Sequence, residues 1–67
     1  MTLQEIKEAI KGGKIVNWTN NLYEVIKDKN GMYLIYCSSN GYCVGLTHKD
    51  GITMNGKEED FYILGNK

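Results

Sequence analysis

MYLIYCSSNGYCVGLT, residues Met32 to Thr47, consists of two runs rich in β-branched and aromatic residues joined across Asn40-Gly41. Asn-Gly between such runs is the strongest short-range hairpin signal in a sequence, because both residues accept the positive φ of a tight turn. The rest of the chain reads as elements added to this hairpin. Upstream, Leu22–Asp28 predicts a strand closed by an Asn30-Gly31 turn, and Lys14–Thr19 a strand closed by Asn20-Asn21. Downstream, His48–Gly51 is a four-residue connection, Ile52–Met54 a short strand, Asn55-Gly56 a turn, Lys57–Asp60 a charged loop and Phe61–Leu64 a closing strand.

At the N-terminus, Thr2 and Glu5 have the spacing of a capping box, and Leu3, Ile6, Ala9 and Ile10 recur at helical intervals. Lys11 suits the negative end of the helix dipole, and Gly12-Gly13 supplies the left-handed residue that ends a helix. The sequence therefore predicts an α+β fold in one domain. A short helix over about residues 2–12 packs on an antiparallel meander of five to six strands (14–19, 22–28, 32–38, 42–47, 52–54 and 61–64), with an SH3-like small barrel as its closed form.

If Asn20-Asn21, Asn30-Gly31 and Asn40-Gly41 are each two-residue turns, counting sets the register. One face then carries Ile15, Ile26, Ile35 and Leu46, the seat for Leu3, Ile6 and Ile10. The other carries Trp18, Tyr23 and Cys43, with Val16, Val25 and Tyr36 in the next row. Cys37 and Cys43 point to opposite faces and cannot bridge. A bulge at any turn shifts the register by one and exchanges the faces beyond it.

At 67 residues, a single core supplies only about 3–5 kcal/mol of net stability, so self-association is expected. Eight basic side chains, all of them Lys, balance eight acidic ones. Without Arg or a basic stripe, the composition weighs against a nucleic-acid partner. No apolar run has the length of a membrane span, and the amphipathic start does not read as a signal peptide; a reducing, cytoplasmic setting in the host cell is the expectation.

The leading candidate surface is the aromatic face: Trp18, Tyr23 and Tyr36 with Val16, Val25 and Cys43. Aromatics on a sheet bury large areas at low rotamer cost and suit a protein interface, unless the sheet curls and this face becomes a second core. His48 beside Asp50 has the elements of a general base or a metal ligand, but Asp50-Gly51 is ordinary turn chemistry. Cys37 and Cys43 read as buried structural thiols within strands. Gly12-Gly13-Lys14 ends a helix, the reverse of phosphate-loop geometry, and Asn55–Asp60 reads as a solvated acidic loop. No cofactor or metal is expected.

Glu8-Ala9-Ile10, Gly13-Lys14, Val16 and Trp18, together with the tail NGKEEDFYI (Asn55–Ile63), resemble small uncharacterised proteins encoded by phages and phage-derived elements. The resemblance spans nearly the whole chain and brings no settled activity. The start is also similar to phage anti-defence proteins that sequester cyclic nucleotide signals as oligomers, through the amphipathic helix followed by Gly-Lys and a strand. That similarity ends within the first strand, where Trp18 is followed by Thr19 and Asn20 and that family's Arg and Gly-Trp-Asn-Gly stretch are missing.

These readings lead to a non-enzymatic phage-type accessory protein that binds a host protein, such as a defence component, through the aromatic face. The first alternative is an oligomer that sequesters a small nucleotide-like ligand. The second is a small barrel binding single-stranded nucleic acid on Tyr33, Tyr36 or Tyr42.

Overall fold

Thr2 opens helix α1 (Leu3–Lys11) with the expected capping box: Glu5 N donates to Thr2 Oγ1 at 3.1 Å and Thr2 N donates to Glu5 Oε1 at 2.7 Å. The Thr2 N–H first, then the Thr2 hydroxyl, hold the Glu5 carboxyl below its ordinary range. Gly13, at φ 79°, turns the chain out of the helix. The computed structural model describes residues 1–67. After α1 come β1 (Lys14–Trp18), β2 (Asn20–Lys27), β3 (Tyr33–Cys37), β4 (Tyr42–Gly45) and β5 (Phe61–Asn66), the last entered through a 3₁₀ turn at Glu58–Asp60.

The strands form one antiparallel sheet in the order β4-β3-β2-β1-β5. The fold is α+β, as the sequence predicts, but the sheet stays open, so the closed barrel is corrected. β4 and β5 lie at opposite edges and do not pair. The strand expected at 52–54 is also absent. That segment contributes one isolated bridge, Thr47 to Met54, inside a long connection from β4 to β5.

Loop lengths set the faces. The β2–β3 connection is a three-residue loop, Lys29-Asn30-Gly31, because Asp28 Oδ1 accepts from Asn30 N at 2.8 Å and from Met32 N at 2.9 Å. Asp28 N also donates to Met32 O, and Gly31 takes φ 84°. Val25 therefore lies opposite Ile35, and Ile26 opposite Leu34, one residue out of the expected register. The β3–β4 connection holds four residues, Ser38–Gly41, which slips the pairing by two and keeps the faces. Between β1 and β2, Thr19 alone takes positive φ (62°) and Asn20 has already joined β2, in place of an Asn20-Asn21 turn.

The core follows from this register. Ile6 packs with Val16, Val25, Ile35, Leu46 and Phe61, all buried, and Met1, Leu3, Ala9 and Ile10 close over them. Ile35 and Leu46 are where the sequence places them. Ile15 and Ile26 are not: the one-residue shift puts Val16 and Val25 under the helix in their place. Each such side chain contributes about 1.5–3 kcal/mol on burial.

Candidate functional site: a cationic cleft around Tyr33

The expected aromatic face is divided. Val16 and Val25 are 0% exposed in the core. Trp18 and Tyr23 pack against that core from the same side, ring centroids 5.2 Å apart edge to face, and Trp18 stacks on Phe61 at 6.2 Å. Tyr36 and Cys43, paired across β3 and β4, fall on the opposite face, one residue out of phase with buried Ile35 and Cys37. The six residues therefore do not make one surface. The cause is the three-residue β2–β3 loop, which exchanges the faces of β3 and β4 relative to β1 and β2.

The cysteines do point to opposite faces and both are free. Cys37 is buried, with the Ser39 hydroxyl 3.1 Å from its sulfur pulling the thiol below its ordinary range against the effect of burial. Cys43 is exposed, which corrects the expectation that both are buried. In the acidic loop, Asn55 turns inward and its Nδ2 donates to Gly45 O at 2.9 Å and Thr47 O at 3.3 Å. Gly56 lies close against the Trp18 indole and the Phe61 ring.

What the fold assembles instead is a cleft of about 350 Å³ between the N-terminal half of α1, the start of β3 and the connection after β4. Leu3, Met32, Tyr33 and Leu46 give it apolar surface, Lys7 and Lys49 line it with ammonium groups, and His48 adds an imidazole. No Asp or Glu lines it. Lys7 Nζ, from the helix, lies 5.6 Å from the Tyr33 ring centroid, and Lys27 Nζ, from the end of β2, lies 5.8 Å from it. The chain's one ion pair, Lys67 Nζ to Glu24 Oε2 at 3.5 Å, lies elsewhere. The cleft's ammonium groups thus keep their charge unpaired in a chain of zero net charge.

The wall carrying His48 and Lys49 is held by its own hydrogen bonds. Thr53 Oγ1 donates to Asp50 Oδ2 at 2.6 Å, and the Ile52 and Thr53 N–H groups donate to Asp50 Oδ1 at 2.8 and 2.9 Å. The Thr53 hydroxyl first, then these N–H groups, pull the Asp50 carboxyl down to about 2, with His48 adding a minor share. His48 N donates to Thr53 O at 2.7 Å. Asp50 is thus hydrogen-bonded within its own loop and does not line the cleft. His48 and Asp50 make the turn that the sequence predicts, and the turn serves as a wall.

A concave site lined by one sign of charge concentrates potential and attracts the opposite charge. Its volume falls in the range of small-molecule sites, with an aromatic wall and few polar groups. It can hold an anionic group against Lys7 and Lys49 and a flat apolar group against Tyr33. The sequence points to Tyr33 as a stacking platform and to His48 and Lys49 as a loop, but Lys7 reads there as the solvated side of the helix. Comparison with family models, curated proteins and solved structures gives no match for this chain.

Proposed function

We propose that this chain is a non-enzymatic accessory protein of the phage type it resembles, and that it acts by holding a small anionic, nucleotide-like ligand in the Tyr33 cleft. The observation that carries this reading is the lining of the cleft: every charged residue in it is basic, although the chain as a whole is neutral. Phosphate oxygens would meet the Lys7 and Lys49 ammoniums, and a base would lie against Tyr33, Leu3 and Met32.

The test is a titration of isotopically labelled protein with AMP, with inorganic phosphate and with adenosine, followed by amide chemical shifts. AMP should shift Tyr33, Thr47, His48 and Lys49 saturably, phosphate more weakly, and adenosine least. The Lys7→Glu, Lys49→Glu double variant should weaken AMP at least about tenfold, since two charge reversals in one cleft cost more than the 1.4 kcal/mol of a tenfold change. No shift with millimolar AMP or phosphate would sink the proposal.

A host-protein partner is the second reading. It is supported by the sheet face away from α1, where Tyr36 and Cys43 lie with Ile26 and Leu34. Capture of one host protein by the wild type and not by a folded Tyr36→Ala variant would support it; identical lanes would end it.

A further inference from the structure

We infer that strand β5 is a self-pairing edge, through which two copies of this chain join antiparallel into one continuous ten-stranded sheet. The inference is independent of what fills the cleft. An edge strand offers a row of free N–H and C=O groups, and natural edges are commonly guarded by shortness, inward charge, Pro or a covering segment. The two edges here differ in that respect.

β4 is the shorter edge: it is four residues long, and the Asn55 side chain caps its C-terminal end by donating to Gly45 O and Thr47 O. β5 is six residues long, Phe61–Asn66, and contains no Lys, Glu, Asp or Pro. It has no neighbour beyond β1. Three consecutive side chains on it are exposed and apolar: Tyr62 at 38%, Ile63 at 48% and Leu64 at 57%. β5 carries one guard, a bulge at Leu64 between the Val16–Ile63 and Ile15–Gly65 pairs, which bends the strand but leaves its side chains uncovered.

The charges flanking the strand select the occupant. Glu58, Glu59 and Asp60 precede β5 and Lys67 follows it. Two copies paired parallel would set acid beside acid and Lys beside Lys. Paired antiparallel about a two-fold axis between Ile63 and Leu64, Asp60, the last residue of the 3₁₀ turn and next to the strand, comes to the end that meets Lys67 of the other copy. That register places an acid near a lysine at each end and the apolar Tyr62-Ile63-Leu64 segments together in the middle. A two-fold interface of this kind is self-complementary by construction. The only internal competitor is Glu24, which holds Lys67 at 3.5 Å across a solvent-exposed gap.

Sedimentation equilibrium at rising protein concentration tests the inference. The wild type should approach about twice the 7.6 kDa of the chain, and its apparent dissociation constant should rise with salt as the terminal ion pairs are screened. Leu64→Lys, on an exposed side chain, should shift it to monomer with an unchanged circular dichroism spectrum. Lys67→Glu should weaken association several-fold, and Glu59→Lys and Asp60→Lys added to it should restore the wild-type constant. A wild type that stays monomeric at millimolar concentration would overturn the proposal, as would a dimer of equal strength in the folded Leu64→Lys variant. The charge-swap series keeps the test decisive should Leu64→Lys fail to fold: no recovery in the triple variant would also count against it.

Discussion

Gly56 shows how one backbone position can depend on a neighbour rather than on its own φ. A Cβ there would meet Trp18 Nε1 at 2.7 Å, Trp18 Cε2 at 3.2 Å and Phe61 Cε2 at 3.3 Å. Gly56→Ala should therefore cost about 1–3 kcal/mol by overpacking and lower the melting temperature by several degrees. Trp18 itself acts as a packing residue. Trp18→Ala should cost about 3 kcal/mol, close to the whole stability expected of a domain this size, so thermal unfolding should show loss of the fold rather than a folded protein with a missing contact. Asp50 sets an acid limit on the cleft wall. Its folded-state value of about 2 lies below the ordinary Asp value, so its stabilisation is complete above the ordinary range and is lost as pH falls through the folded value. Amide shifts of Ile52 and Thr53 should move together with a midpoint near pH 2, and the Asp50→Asn variant should lack that transition.

The hairpin between β2 and β3 decides which side chains meet α1, and one side chain decides the hairpin. Asp28 Oδ1 takes two backbone N–H groups across the loop and makes Asp28 and Met32 the flanking pair, leaving three residues between them. Asp28→Ala should cost about 1–2 kcal/mol through these charge-assisted bonds, and Asp28→Asn, which keeps an acceptor, should recover part of it; chemical denaturation of both variants checks this. Helix α1 was legible because its signals are local: capping box, stripe and terminal glycines lie within a few residues of one another. The strands from 14 to 45 were legible for the same reason. The register was not, since Asn30-Gly31 reads as a two-residue turn unless the side chain two positions earlier is known to reach across it. The strand expected at 52–54 failed because Thr53 gives its hydroxyl and its N–H to Asp50, and the segment closes on itself instead of joining the sheet.

The molecule as a whole sets a positive cleft in a neutral protein. A ligand that binds only the folded chain stabilises it by mass action, about 2.7 kcal/mol at a hundred times its dissociation constant. Saturating AMP should accordingly raise the melting temperature of the wild type by more than that of Lys7→Glu, Lys49→Glu, and the wild-type shift should shrink with added salt. The residues of this site come from α1, β2, β3 and the β4–β5 connection, and no spacing in the chain ties Lys7 to Tyr33 or to Lys49. Local chemistry was enough for the fold class, the helix, all five strands and the opposed cysteines, because each rests on alternation, capping or turn residues that act over a few positions. Which face of the sheet is core, that the sheet stays open, and that three lysines and a tyrosine converge were decided by packing. Competing registers satisfy the same local preferences, and what separates them is which apolar row fits beneath Ile6 and which loop can complete its own hydrogen bonds.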